Sequence, residues 1–190
     1  GSIERVGDVT LIDSGIPDDT YNLILGADRL TLAGIHRAID VARARRRPFA
    51  WWVASVPEQA ELAGQLESIG LKVAEIEKLM TAALDREWPT AHQALQVRRV
   101  ENQTELHAFA EIVASLWTPA NPLVRGYFEK TSAEVLRADH PSELYVGYND
   151  GRPVCTTLVH YAAGVAGVYN AATLADERRK GFARTAVAHA

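Results

Sequence analysis

The sequence lacks the residue types that mark several functional classes. Its single cysteine, Cys155, cannot form an internal disulfide, so we expect a reducing, cytoplasmic compartment. It has no run of about 18 apolar residues, so no membrane span is expected. The six histidines are scattered without metal-ligand spacing, so we expect no metal site. A formal net charge of −4 gives no overall basic field, which argues against binding to nucleic acid or to a membrane surface.

What the sequence does contain is an ordinary globular composition, with a break at residues 85–93. Before the break we predict strand, helix, strand, helix, strand, and we exclude Gly1 and Ser2 as an expression-tag remnant. The helices are expected from Asp28 to about Arg46, where Pro48 stops the first, and from Pro57 to Gly70. Short strands are expected at Val9–Ile12 and, buried, at Phe49–Val53. Residues 71–84 are expected to form a strand or hairpin with Met80 in the core.

After the break the pattern restarts and predicts strand, helix, helix, strand, strand, strand, helix. Leu95–Val100 alternates like a half-buried strand, and Asn102 or Thr104 can cap the helix that follows. Asn121 and Pro122 open a second helix, which extends to about Arg137. Strands are expected at 142–148, 152–161 and 164–174, the first two joined by a turn at Asn149–Gly151. The fold class is therefore α/β (α+β), with a mixed, mostly antiparallel sheet flanked by helices, in two halves.

The segment from Tyr169 to Thr185 carries the chemistry. A strand leads into a basic loop and then into the start of a helix, where unpaired N–H groups attract phosphate oxygens. Gly181 and Ala183 let phosphates approach the backbone closely. Positive charge around the same point comes from four residues: Arg178, Arg179, Lys180 and Arg184. The alternative interpretation is a solvated basic loop, because a short glycine pattern has low specificity.

This segment resembles the Arg/Gln-x-x-Gly-x-Gly/Ala motif of the GNAT acyltransferase superfamily, matched by Arg178, Gly181 and Ala183. The resemblance covers about residues 95–190 and implies coenzyme A, or acetyl-coenzyme A, as co-substrate. It implies that loop amides bind the pyrophosphate and that the strand binds the pantetheine arm. The implied binding residues are Ala172, Thr173, Leu174, Arg178, Arg179, Lys180, Gly181, Phe182, Ala183, Arg184 and Thr185. The usual Val-x-Pro before the motif is replaced by Thr173–Ala175.

The first half is also similar to part of a GNAT unit. Phe49–Val53, Pro57 and Leu66–Leu71 resemble its later strand, helix and Leu-x-x-x-Gly turn. Its Asp28–His36 helix start lacks the Arg-x-x-Gly-x-Gly motif, so we expect a degenerate module that binds no coenzyme A. The chain would then be a tandem arrangement, with a degenerate half at 1–90 and an acyltransferase half at 91–190. An unrelated α/β domain is the alternative for the first half.

The resemblance also implies that the second half is incomplete. A GNAT unit continues past the cofactor helix with further strands, and it carries a Tyr general acid there. That part would lie beyond Ala190. We therefore expect weak or no acyl transfer from these 190 residues alone. The open edge of strand 164–174 is expected to be covered by a second copy in a homodimer, by further chain or by the first half.

The leading functional hypothesis is transfer of an acetyl or related acyl group from coenzyme A to an amine, on a small molecule or a protein. Tyr169 and His160 are the candidate catalytic residues, with a structural role as the alternative for each. Cys155 is expected to be a buried, inert thiol. A second hypothesis is a non-catalytic coenzyme A-binding or regulatory module. A third, nucleic-acid binding through Arg43–Arg47 and Arg178–Lys180, is disfavoured by the net acidity.

Overall fold

The computed structural model describes residues 1–26, 30–56, 59–83, 92 and 94–190. The chain divides into two compact units, Gly1–Ala82 and Ala83–Ala190. The predicted break at residues 85–93, apart from His92, lies outside the described residues, as do Asp28 and Pro57. None of the described helices is long and apolar enough to cross a membrane.

The N-terminal unit is a four-stranded sheet with two helices among its described residues. The strand order is β1-β2-β3-β4, in which β3 and β4 are parallel and the other pairs antiparallel. The elements are β1 (Ser2–Val6), β2 (Val9–Asp13), β3 (Asn22–Gly26), α1 (Leu32–Ala44), β4 (Ala50–Trp51) and α2 (Ala60–Ser68).

Helix α1 forms where the apolar spacing predicts it. Thr31 is its N-cap, and the Thr31 hydroxyl accepts a hydrogen bond from Gly34 N at 3.2 Å. Ile35, Ile39 and Ala42 recur at helical spacing and are buried against the sheet. The helix ends before Arg46, whose φ of 54° is left-handed, and Pro48 follows.

The predictions for this unit are confirmed only in part. Residues 71–83 form no strand, and Met80 is 89% exposed rather than in the core. The strand expected at Phe49–Val53 is only Ala50–Trp51, and Trp52 is 53% exposed. Strands β1 and β3 were not predicted. The physical reason is that strand formation needs a pairing partner as well as apolar residues, and β4 pairs only through Leu23↔Ala50 and Ile24↔Trp51.

The C-terminal unit has the predicted element order and a fully antiparallel sheet, β5-β6-β7-β8. The predicted fold class, helices flanking mostly antiparallel sheet in two halves, is confirmed. The elements are β5 (Leu95–Arg99), α3 (Gln103–Ala114), α4 (Pro122–Val135), β6 (Ser142–Asn149), β7 (Arg152–Ala162), β8 (Val165–Thr173) and α5 (Phe182–His189).

Local chemistry explains the boundaries of these elements. The Asn102 side chain caps α3 by accepting from Glu105 N at 3.0 Å, and the Asn121 side chain caps α4 by accepting from Leu123 N at 2.9 Å. Asp150 and Gly151 have φ values of 50° and 78°, the pattern of a type I′ hairpin turn between β6 and β7.

Helices pack on both faces of this sheet, and most of β8 stays exposed. On one face α3 packs against β6, β7 and β8, and α4 packs against α3, with the ring centroids of Phe109 and Phe128 5.1 Å apart in an edge-to-face contact. On the other face α5 packs through Phe182 against Cys155 of β7. Burial of Cys155 raises the pKa of its thiol to about 11, and the side chain is fully buried. The thiol is thus buried and protonated at neutral pH, as predicted.

Candidate functional site

A cleft of about 430 Å³ opens in the C-terminal unit where β8 ends and α5 begins. Its size lies in the range typical of small-molecule sites. Most of the residues predicted to bind the cofactor line it: Ala172, Thr173, Arg178, Arg179, Gly181, Phe182, Ala183 and Arg184. The other lining residues are Leu116, Ala171 and Glu177.

The start of α5 offers backbone donors to this cleft. Gly181 is the N-cap, with φ 85° and ψ 2°, and no side chain caps the helix. The first intrahelical bond is donated by Thr185 N to Gly181 O at 3.1 Å. The amides of Phe182, Ala183 and Arg184 therefore have no acceptor within the helix. These three residues line the cleft at the positive end of the helix dipole, an arrangement suited to an anion.

Left-handed backbone at two positions shapes the loop before α5. Arg179 has φ 67° and Gly181 has φ 85°. A Cβ built on Gly181 would meet nothing closer than Arg184 Nη2 at 4.0 Å, so the space above this residue is open. The Arg184 guanidinium therefore lies beside the uncapped amides. Neither Arg179 nor Arg184 has an ion-pair partner among the described residues.

At the end of β8, some main-chain groups are hydrogen-bonded within the sheet and others face away from it. Leu174 N donates to Val154 O at 3.0 Å, so this amide is already used within the sheet. The residue before Leu174 is Thr173, which pairs with Cys155. The Thr173 carbonyl accepts a hydrogen bond from Arg178 Nε at 3.1 Å. Since antiparallel strands alternate bonded and non-bonded pairs, the Thr173 groups face away from β7.

A β-bulge interrupts β8 immediately before the cleft. Thr156 pairs with Ala172 and Leu158 with Tyr169, so two steps along β7 match three along β8. Asn170 lies in the bulge and has a left-handed φ of 49°. Its carbonyl accepts a hydrogen bond from the Thr156 hydroxyl at 2.8 Å. Bulges re-aim strands next to functional sites. Here the bulge brings Ala171 into the cleft lining.

One acidic side chain, Glu177, lines the cleft beside the arginines. Its residue is 8% exposed. Glu177 Oε2 lies 2.8 Å from Lys180 Nζ, and Oε1 lies 3.3 Å from Arg152 Nη1. Arg152 Nη1 also lies 2.7 Å from Asp176 Oδ2. Lys180 was predicted to add positive charge to the site, but its ammonium is held by Glu177 and Lys180 does not line the cleft.

Three of the predicted binding residues are thus outside the cleft lining: Leu174, Lys180 and Thr185. Thr185 is buried, and its hydroxyl accepts a hydrogen bond from His92 N at 2.9 Å. The Phe182 side chain is in the core, with its ring 5.0 Å from that of His92, so only its backbone is offered to the cleft.

The two candidate catalytic residues do not reach the cleft lining. His160 Nδ1 is hydrogen-bonded to the Ser142 hydroxyl at 2.8 Å across β6 and β7. Tyr169 is 55% exposed on β8, and its ring lies over Gly167. These contacts favour the structural interpretation of both side chains.

Sequence reasoning missed Leu116, Ala171 and Glu177. Leu116 follows α3, more than fifty positions before the motif, and nothing local marks it. Ala171 depends on the register shift of the bulge. Glu177 had a usable signal, because an acidic residue directly before three basic ones is well placed to pair with one of them.

Solved structures share this fold. A GCN5-related N-acetyltransferase from Kribbella flavida is 18% identical, with a TM-score of 0.71 over 99% of this chain and 72% of that one. A functionally unknown conserved protein from Staphylococcus epidermidis ATCC 12228 is 9% identical, with a TM-score of 0.65 over 100% of this chain and 77% of that one. No protein-family model and no curated protein matches the sequence. The predicted GNAT fold is confirmed, while the tandem, degenerate-half arrangement stays a prediction.

Proposed function

We propose that this chain binds coenzyme A in the cleft between β8 and α5, and that it serves transfer of an acetyl or related acyl group to an amine. The observation that carries the proposal is the uncapped α5 N-terminus. It presents the amides of Phe182, Ala183 and Arg184, flanked by arginines that have no carboxylate partner in the described part of the chain. A pyrophosphate needs this combination of several aligned N–H donors and positive charge.

Different residues of the cleft would bind the pyrophosphate and the pantetheine arm of coenzyme A. The amides of α5 hold phosphate oxygens, and Arg179 and Arg184 offset their charge. The outward-facing backbone of Thr173 is suited to the amide groups of pantetheine, once Arg178 releases the Thr173 carbonyl. Acetyl-coenzyme A supplies an acyl thioester, which an amine attacks directly, losing a proton and releasing the thiol.

The test is isothermal calorimetry with coenzyme A on the unsubstituted chain and on Gly181→Val. A β-branched residue is strained at φ 85° and fills the open space above the amides, so we expect at least about a tenfold loss of affinity. Gly164→Val is the matched control, because Gly164 has φ 78°, has open space around it and lies in the β7–β8 turn. Equal affinities in all three proteins would refute the site.

A second candidate function, coenzyme A binding without catalysis, is favoured by the composition of the cleft. Its described lining has no His or Tyr, and its one carboxylate, Glu177, is held in ion pairs. A free base for the amine and an acid for the thiolate are therefore missing from the described lining. Thiol release from acetyl-coenzyme A with a panel of amines separates the two functions. Amine-dependent release would contradict the non-catalytic candidate, and coenzyme A binding without release would contradict acyl transfer by this chain.

A further inference from the structure

The carboxylate of Glu177 is in an unexpected place for a phosphate site. It lines the cleft beside Arg178 and Gly181, and the residue is only 8% exposed. Among the described lining residues it is the one acidic side chain. Two cations hold it, Lys180 Nζ at 2.8 Å and Arg152 Nη1 at 3.3 Å.

Such a carboxylate repels a bound diphosphate unless its charge is balanced. Like charges a few ångströms apart interact strongly where burial excludes water. Lys180 is not among the residues that line the cleft, and its ammonium lies 2.8 Å from Glu177 Oε2, so it balances the carboxylate. Arg152 is shared with Asp176 at 2.7 Å, whereas Lys180 forms its ion pair with Glu177 alone among the described residues.

We infer that Lys180 promotes coenzyme A binding indirectly, as the counter-charge of Glu177, and that Glu177 is a positioning residue that lowers phosphate affinity. This inference rests on the proposed function and differs from the sequence-based prediction, in which Lys180 contacts the pyrophosphate. The two accounts make opposite forecasts for what happens to Lys180 when Glu177 is neutral.

A double-substitution cycle separates them, using calorimetry with coenzyme A on four proteins: unsubstituted, Glu177→Gln, Lys180→Met, and the double variant. We expect Glu177→Gln to tighten binding by about threefold to tenfold and Lys180→Met to weaken it by a similar factor. The double variant should bind within about twofold of Glu177→Gln, because Lys180 acts through the Glu177 carboxylate and its removal has no further effect once that carboxylate is gone. A purely structural role for Glu177 would weaken binding in the Gln variant, which would overturn the inference.

A direct Lys180–phosphate contact would appear as the same loss of affinity in both Glu177 backgrounds, and that result would also overturn the inference. Asp176→Asn is the matched control, because it removes a carboxylate from the same loop at a side chain that is 60% exposed. We expect it to change affinity by less than about twofold, since solvent screens that charge. If Glu177→Gln does not fold, Glu177→Met carries the same cycle. Absence of binding by the unsubstituted chain would instead refute the proposed function, and the inference with it.

Discussion

The two units differ in how the N-terminus of a helix is capped. In each, a strand leads into a helix, β3 into α1 and β8 into α5. Helix α1 is closed by the Thr31 hydroxyl, which accepts from Gly34 N at 3.2 Å. Helix α5 begins at Gly181, which has no side chain to offer, and its first amides stay available. The two helix starts therefore differ in their N-cap, which is one of the features for which we propose the start of α5 as an anion site.

The surroundings of the two helix starts agree with this contrast. A Cβ on Gly34 would meet Leu30 Cδ2 at 3.2 Å, so side chains crowd α1, whereas the space above Gly181 is open. A cavity in the N-terminal unit, beside Asp13 and Phe49, holds about 20 Å³, which is room for one water molecule. The cleft at α5 holds about 430 Å³. We therefore expect coenzyme A to bind only in the C-terminal unit.

The largest predicted difference between the units is the effect of truncating a core side chain on stability and on coenzyme A affinity. Phe109→Ala removes a fully buried ring from the cluster that also contains Ala172, and should lower the free energy of unfolding by about 3–5 kcal/mol. Coenzyme A affinity should fall with it, because Ala172 forms part of the cleft. Chemical denaturation and calorimetry measure the two effects.

Ile39→Ala is the counterpart in the N-terminal unit. It removes a buried side chain from that core and should cost about 2–5 kcal/mol, while coenzyme A affinity stays unchanged where the chain is folded. A comparable loss of affinity in the Ile39 variant would show that the N-terminal unit takes part in the site.

A second prediction concerns a capping side chain introduced at the N-terminus of α5. In Gly181→Asp, a carboxylate at the N-cap takes up helix amides and repels phosphate, so coenzyme A affinity should fall by at least about tenfold. Gly181→Asn is the matched variant, because Asn and Asp both tolerate the left-handed backbone and differ in charge. It should bind several-fold more tightly than the Asp variant in calorimetry. Equal binding by the two would contradict a phosphate site at this position.

The reverse experiment removes the side chain that caps the N-terminus of α1. Thr31→Ala removes the hydroxyl that caps α1 and should destabilise the N-terminal unit by about 1 kcal/mol. Crowding by Leu30 remains, so no coenzyme A should bind there. Urea denaturation gives the first result, and the stoichiometry of binding by calorimetry gives the second. A second equivalent of coenzyme A in this variant would show that the cap alone distinguishes the two helix starts.

The smallest effect is a pH dependence confined to the C-terminal unit. Burial raises the pKa of Cys155 to about 11, so the folded chain holds the thiol proton more tightly than the unfolded chain. The stability from this group is complete below the ordinary thiol value and is lost as the pH rises from there through about 11. Urea denaturation at several alkaline pH values should show a steeper decline for the natural chain than for Cys155→Ala. Parallel declines would contradict the raised pKa.

The fold of the C-terminal unit was more predictable than that of the N-terminal unit for a local reason. Asn102, Asn121 and the Asp150–Gly151 turn fix their elements through their own side chains and backbone preferences. Between residues 71 and 83 the apolar residues suggested a strand, yet Ile76 is 84% exposed, because periodicity does not reveal whether a partner strand is present.

The site was predictable to the extent that it depends on backbone. Gly181 and Ala183 mark the helix start in the sequence, and the structure brings them to the cleft. Side-chain pairing was not predictable, because the choice of Lys180 rather than Arg178 as the partner of Glu177 is made by three-dimensional geometry. The bulge at Asn170, on which the place of Ala171 depends, also follows from strand register and not from composition.

The central claim, that phosphate binds at the open start of α5 and not at the capped start of α1, can be tested most directly by NMR. An amide-detected titration of the isotope-labelled chain with coenzyme A should shift the signals of Phe182, Ala183 and Arg184 strongly. The signals of Leu32 and Gly34 should stay in place. Shifts at α1, or no shifts at α5 at saturating coenzyme A, would contradict the account.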